Sequence, residues 1–328
     1  MSSRDGRFRV RLIQPGGWSC RRSRCLRPFQ SFDSIRRLET TRSLDRHRLS
    51  VVIPTRGRPE RLRTALAALE RQTAAGSIEI VVVDDGSPDG DEIAKVVAGT
   101  RARLVRRPLP GGVGAARNEG TRAANGSYVC FTDDDCEAAP TLAERMLQAF
   151  EDGADAVTGP TINGCPDNPF DTASQLIANY LAEQALGPGN STSFGVGSNL
   201  GATKSLLRSL PFDERYRGAA EERDWCAKIT AGGYRFVAVP DAVVVHKQEL
   251  DLRGFWRKHV HYGRGAFTYR RLAPVRRPLA APRFYSGLML RSFKTGAMVG
   301  VLFCLAQLAT ACGFVREWAS NVNARASG

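Results

Sequence analysis

From Leu49 onward, short unbroken apolar runs alternate with stretches of helical period. Leu49–Pro54 (LSVVIP) is long enough for a strand buried on both faces, and Thr55–Pro59 (TRGRP) is a loop by its turn residues. Glu60–Gln72 carries Leu62, Leu66 and Leu69 at helical spacing. Ile78–Val83 (IEIVVV) reads as a second strand, Asp91–Ala98 as a helix, Ala102–Val105 as a short strand and Ala115–Ala124 as a helix. Tyr128–Phe131 (YVCF) is a further strand, followed by an amphipathic helix over Thr141–Glu151 and a short strand at Ala156–Gly159. Residues 160–198 are rich in Gly, Pro and Asn around one helix, Thr172–Ala185. Phe194–Leu200 (FGVGSNL) leads into a helix near Lys204–Ser209, and Ala219–Trp225 (AAEERDW) opens another. Tyr234–Val239 and Ala242–Val245 are late strands, the last ending at His246. This alternation predicts a Rossmann-like α/β fold with a doubly wound, mostly parallel sheet over residues 49–250.

The two ends of the chain break the pattern. Residues 1–48 hold thirteen Arg, no Lys and four acidic residues, with no sustained apolar period, and are expected to be a disordered leader. They contain no apolar h-region, which argues against a secretory signal. Residues 251–294 form a basic, aromatic helical flank: eleven basic residues fall in 253–294, interleaved with Phe255, Trp256, Tyr262, Phe267, Tyr269, Phe284 and Tyr285. Residues 295–315 carry no charge and are long enough for a membrane-associated or transmembrane helix, with a short tail at 316–328. The net charge of +14 is therefore a property of the ends. It suits an anionic membrane face better than a nucleic acid, because the cations flank a hydrophobic segment. Eight cysteines without a CxxC pair give no zinc spacing and read as reduced thiols.

The candidate chemistry lies where strands stop. Two strands end in clustered carboxylates, Asp84-Asp85 and Asp133-Asp134-Asp135. Adjacent like charges resist burial unless something compensates them, and oxygen ligands suit Mg²⁺ or Mn²⁺. Between the strands, Pro110–Gly120 (PGGVGAARNEG) is a Gly-rich turn opening a helix, but Arg117 fills the third glycine position of a dinucleotide fingerprint. The combination suits a nucleoside diphosphate, one carboxylate facing base or ribose and another holding a metal. Glu221, Glu222 and Asp224 begin a helix, where the dipole alone would favour them. His246 ends a strand and is a metal-ligand candidate beside an acidic cluster.

In their order, VVIPTRGRPERL, VVVDDGSPDG, GVGAARNEG, YVCFTDDDC, FGVGSNLGATKSLL, AAEERDW and VVVH resemble a family 2 glycosyltransferase of the GT-A fold, from Leu49 to about His246. The resemblance implies that Pro54, Thr55 and Arg56 line the start of a donor pocket, joined by Arg117 and Asp134. It implies that Asp84 or Asp85 contacts the base and ribose of a nucleotide-sugar. Asp133 and Asp135 would form the DxD element, with Asp135 and His246 beside Mg²⁺ or Mn²⁺. The family's catalytic aspartate aligns with Glu222, one methylene longer, which leaves Asp224 as the other candidate base. Inverting displacement is implied, with Arg264 or neighbouring cations helping the diphosphate leave. Pro110 and Gly111 stand where the family often has an asparagine. The expected acceptor is a polysaccharide or a lipid-linked molecule at the cytoplasmic face of a membrane. A nucleotidyltransferase and a catalytically silent nucleotide-sugar binder are the alternatives; TRGRP is too short and poor in glycine for the first.

Overall fold

The computed structural model describes residues 48–216, 218–272 and 282–326. The expected leader at 1–48 falls, but for Arg48, outside the described residues. The elements run β1 (Leu49–Thr55), α1 (Pro59–Glu70), β2 (Ile78–Asp85), α2 (Gly90–Ala98), β3 (Arg103–Arg107), α3 (Val113–Ala123), β4 (Tyr128–Phe131), β5 (Cys136–Ala138) and α4 (Leu142–Glu151). Then come β6 (Ala156–Thr158), β7 (Thr161–Asn163), α5 (Pro169–Glu183), β8 (Leu200–Thr203), α6 (Lys204–Ser209), α7 (Glu221–Ala231), β9 (Phe236–Ala238) and β10 (Val244–His246). Three helices close the chain: α8 (Leu252–Leu272), α9 (Pro282–Thr295) and α10 (Ala297–Ala326).

A seven-stranded sheet has the order β3-β2-β1-β4-β8-β6-β9. Its pairings are parallel except for β8, which runs antiparallel to both β4 and β6. The doubly wound, mostly parallel sheet is as expected; β8 is not. The sequence LGAT is too short and too small-residued to stand out, and it gains strand geometry only by filling the gap between β4 and β6.

Both faces of the central strands are buried, so their alternating side chains feed two cores. Leu49, Val51, Ile53, Ile80 and Val82 pack with Leu62, Leu66 and Leu69 of α1 and with Met146 and Phe150 of α4. Val52, Val81, Val83, Val129 and Phe131 face the other way, onto Leu206, Phe212, Trp225 and Ile229. A second, three-stranded sheet of order β5-β10-β7 sits beside the main one. Neither β5 nor β7 shows in the sequence, since three-residue strands have no period to read.

The described parts of the basic flank are helical, as α8 and α9, and the helix of the hydrophobic segment runs past the expected end at 315 to Ala326. Helix α10 buries Val299, Leu302 and Ala306 against Ala173 of α5 and Phe255 of α8. On α8, His259 is buried between the rings of Phe255 (4.5 Å) and Tyr262 (5.7 Å), and its Nε2 has no hydrogen-bond partner.

That burial, with the neighbouring Lys258 ammonium, pushes His259 down to about 4. Between pH 6.5 and 4 the unfolded chain therefore takes up a proton that the folded chain refuses, and stability is lost as pH falls through that window. The linkage is worth about 3 kcal/mol at its limit. His259→Phe keeps a ring in place and should flatten the fall of melting temperature between pH 7 and 4.5; an equally steep fall in the variant would contradict this assignment.

Candidate active site

From β1 the chain winds outward through β2 and β3, then returns to add β4 on the other side of β1. The reversal opens a crevice at the carboxyl ends of β1 and β4, the place where open α/β sheets hold ligands. Thr55 ends β1, Asp84 and Asp85 end β2, and Asp133–Asp135 follow β4. Topology alone thus gathers the two acidic clusters.

The two aspartates of β2 do different work. Asp85 accepts hydrogen bonds from Arg107 Nε (2.8 Å), Gly111 N (2.9 Å) and Gly112 N (2.8 Å), so both its oxygens are spent on pinning the Gly-rich turn before α3. Gly112 stands at φ +90°, which a side chain would resist. Asp84 is fully buried; its Oδ1 accepts from Ser87 N (3.0 Å), while its Oδ2 has no hydrogen-bond partner and lies 3.4 Å from Arg106 Nε. Of the pair, Asp84 is the one with acceptor capacity left.

In the triplet after β4, Asp134 points inward. Thr55 Oγ1 donates to its Oδ2 at 2.7 Å, and Arg58 Nη2 lies 2.8 Å from its Oδ1. Burial, reinforced by Asp135 and Asp133 and opposed by Arg58, pushes it up to about 7. Asp135 meets Arg58 (3.3 Å), Arg61 (3.4 Å) and His246 Nε2 (3.4 Å). Burial works against its charge, yet His246, Arg58 and Lys258 together hold it well below the usual carboxylate range. Asp133 turns to Arg117 at 3.3 Å. Pro54 is buried inside β1, and Arg56 is exposed just beyond it. The cations that engage the triplet from this loop are Arg58 and Arg61, which sequence reasoning did not single out.

The small sheet brings His246 to Asp135. Antiparallel pairing of β10 with β5 sets His246 opposite Cys136, next to Asp135. Gln175 of α5 donates from Nε2 to Thr161 Oγ1 (2.8 Å) and Asn179 Oδ1 (2.8 Å), which orients its Oε1 toward His246 Nδ1 at 3.1 Å. An acceptor at Nδ1 makes that nitrogen an N–H, so Nε2, 3.4 Å from Asp135, is the nitrogen that would turn a lone pair to a cation shared with that carboxylate. Gln248 Nε2 donates to the same Oε1 at 3.3 Å, and its own Oε1 accepts from Ser174 Oγ and Lys258 Nζ. Nothing in the period of α5 marks Gln175 or Ser174 as more than buried helix positions.

These donors fit a divalent cation. Ligand atoms of Asp135, Cys136 and His246 lie within 4.8 Å of one another. A charged carboxylate with an imidazole nitrogen beside it suits Mn²⁺ or Mg²⁺. Burial, with Asp135 and Asp133 nearby, keeps the Cys136 thiol well above its ordinary range, and a hard cation prefers the oxygen and nitrogen of Asp135 and His246 to sulfur.

Helix α7 supplies the other carboxylates. Arg117 of α3, buried, reaches Glu221 at 2.7 Å as well as Asp133, with the rings of Phe131 and Phe212 under 6 Å away. Glu221 is thereby a structural partner, although burial and Glu222 beside it raise its carboxyl well above the usual range despite Arg117. Asp224 is buried and engaged by Lys228 Nζ (2.5 Å) and Tyr216 OH (3.3 Å). Glu222 is half-buried on the first turn. The residue before this turn, Ala220, stands at φ +79°, a costly conformation for a residue with a Cβ and the kind of strain that collects at functional sites. Arg264, expected to help a diphosphate, instead pairs with Glu317 of α10 at 2.7 Å. Lys258, one helical turn and a half earlier on α8, is the cation turned to the cluster: burial brings it down to about 8, against the pull of Asp135, Asp171 and Asp133.

Residues 50–210 match the model of glycosyl transferase family 2. Over 227 residues the chain is 27% identical to the pre-mycofactocin glycosyltransferase of Mycobacterium tuberculosis, a match covering 66% of this chain and 46% of that protein. Over 210 residues it is 28% identical to the amylovoran biosynthesis glycosyltransferase AmsB of Erwinia amylovora, covering 58% of this chain and 66% of the relative. The chain spans about half the length of the first of these relatives. Among solved structures, a mannosyltransferase from Pyrobaculum calidifontis in complex with GDP-Man and Mn²⁺ has a TM-score of 0.53 at 22% identity, covering 86% of this chain and 80% of that one, a likeness of fold. Profile, relatives and fold agree that the chain belongs to glycosyltransferase family 2, with its family domain at residues 50–210 on a GT-A fold.

Proposed function

We propose that the protein transfers a sugar from a nucleotide-diphosphate donor to an acceptor hydroxyl, with inversion at the anomeric carbon, in the synthesis of a cell-envelope or other extracellular glycan. The observation that carries this reading is the double contact of buried Arg117 with Glu221 and Asp133, which ties the carboxylates of α7 to the acidic cluster at the switch point. The Erwinia relative is a glycosyltransferase of amylovoran biosynthesis, and the mannosyltransferase of like fold holds GDP-Man and Mn²⁺, which supports the reading.

In this reading Asp84, with its spare buried oxygen, accepts hydrogen bonds from the base or ribose. Asp135 and His246 hold Mg²⁺ or Mn²⁺, which supplies charge to offset the departing diphosphate. Asp133 stays with Arg117 and limits how the donor can sit. Lys258, Arg58 and Arg61 add positive charge around the leaving group, the role expected of Arg264. Glu222 takes the acceptor hydroxyl's proton as the oxygen attacks; Asp224, engaged by Lys228 and Tyr216, holds the helix in place. The acceptor, a polysaccharide or lipid-linked molecule, is reached at the cytoplasmic face of a membrane to which the C-terminal helices attach the enzyme.

Titrating the purified protein with UDP-, GDP- and dTDP-sugars, with and without Mn²⁺, tests the donor site. Metal-dependent binding to one donor class, abolished in Asp135→Ala, is expected; a folded protein that binds none of them would favour a silent scaffold. Glu222→Gln should lower kcat by about 10²–10⁴-fold with donor affinity intact, whereas Asp224→Asn should mainly lower the melting temperature. The reverse pattern would move the base to Asp224. If Gln175 orients His246, Gln175→Leu should weaken Mn²⁺ binding by about 10–100-fold in calorimetry, while Gln175→Glu, which keeps the acceptor but loses the Nε2 donors that orient it, should weaken it less. Equal affinity in all three proteins would remove Gln175 from the metal site.

A further inference from the structure

Among the described residues, one helix is long and apolar enough to cross a membrane, Ala297–Val322 within α10, with a mean hydropathy of 2.0. Its faces are unlike in their surroundings. Val299, Leu302, Ala306 and Ala309 are buried on the protein, whereas Val301, Leu308 and Val315 are each more than half exposed. The exposed positions recur at helical spacing, so they form a stripe along one side, and between residues 297 and 315 no charge interrupts it. At 1.5 Å per residue that stripe is about 28 Å long.

The buried side is closely fitted. A Cβ on Gly263 of α8 would fall 1.9 Å from Thr310 O, and a Cβ on Gly313 would fall 1.9 Å from Val260 O, so the two backbones touch at reciprocal glycines. Phe267 stacks edge-on to Phe314 at 5.3 Å, and Arg264 pairs with Glu317. The two helices run side by side in the same direction over this length. Helix α8 is also seated on the loop that opens α7: a Cβ at Gly265 would fall 2.6 Å from Ala219 O.

This packing excludes a free crossing of the bilayer. Were α10 to span, α8 would be carried to the same depth, and with it Arg257 and Arg270, charges that hydrocarbon does not accept without partners. We infer that α10 lies in the plane of an anionic lipid surface, its exposed stripe sunk among the headgroups and acyl ends and its opposite face kept on the enzyme. Charge complementarity identifies the occupant: Leu252–Val315 contains no acidic residue, and although Glu317 takes Arg264, Glu183 takes Arg291 and the acidic cluster takes Lys258, Arg270 and Arg271 stand beside the stripe and carry positive charge toward an anionic bilayer. Beside the stripe, a cavity of about 280 Å³ is lined by Arg270, Arg271, Phe314 and Trp318, a pairing of guanidinium and aromatic groups suited to the headgroup level. The inference rests on the membrane attachment proposed above and is independent of the donor site.

The test uses the full chain and vesicles of phosphatidylcholine with or without phosphatidylglycerol. Flotation with the anionic vesicles is expected, weakened at high salt, released by alkaline carbonate, and reduced about tenfold in a folded Val301→Lys, Leu308→Lys double variant. Tryptophan emission should be quenched by lipids brominated high on the acyl chain, and the quenching lost in Trp318→Phe. Carbonate-resistant retention would show a spanning helix and overturn the in-plane placement while sparing membrane attachment. Equal binding to neutral vesicles would overturn the anionic partner. No flotation at all, or a stable dimer that the double variant dissolves, would overturn membrane attachment itself and give the stripe to a second copy of the chain; nucleotide-sugar binding would stand in every case.

Discussion

Carboxylates delivered to one crevice by a parallel sheet must be neutralised, and this requirement shapes the protein's site. Asp84, Asp85, Asp133, Asp134 and Asp135 converge because the strands that carry or precede them end at the same edge, and α7 adds Glu221. All are met by arginines drawn from three places: Arg106 and Arg107 from β3, Arg117 from α3, and Arg58 and Arg61 from just before and within the first turn of α1. The guanidinium groups therefore fasten the loops around the crevice to the sheet as well as balancing charge. In the Arg117–Glu221 pair, buried on both sides, removal of one partner leaves the other uncompensated at a cost of about 3–5 kcal/mol, so there the scaffold and the site are held by the same contact.

The parts of this arrangement that were legible in the sequence are those with long periodic or unbroken apolar signals. Strands β1, β2 and β4, the helices α1 to α4, and the acidic ends of β2 and β4 were all placed from residue pattern. What escaped were interactions between distant, individually ordinary residues. Arg58 and Arg61 look like solvent-exposed turn and helix arginines until the triplet is folded beneath them. Gln175 is a polar residue inside an amphipathic helix, and only its contacts with Thr161, Asn179 and His246 give it a task. The choice between Asp84 and Asp85, undecidable from two adjacent aspartates, follows from which one the backbone of the Gly-rich turn consumes. Arg264 was misjudged because its partner, Glu317, lies beyond a hydrophobic segment and meets it only when α10 folds back along α8.

Helix α8 mediates between regions that would otherwise be separate. One side carries Lys258 and Tyr262 toward the acidic cluster, another presses against the loop at Ala219, and a third accepts α10 at Gly263. Displacement of α10 would thus be transmitted as a shift of the helix that faces the crevice, without passing through the sheet.

The pairing of His246 with Cys136 in the small sheet has an evolutionary corollary. Neighbouring residues in a strand project to opposite faces, so a single inserted residue in β10 would rotate the imidazole away from Asp135. A three-residue strand therefore indexes two segments of chain that lie far apart in sequence, and the index has no tolerance. The stretch between them is restricted at Gln175, at Glu221–Asp224 of α7 and at the core positions of its strands and helices, but its polar loops are not. Loops there can lengthen, shorten and change their polar surface through descent, allowing acceptor preference to diverge while the histidine keeps its place.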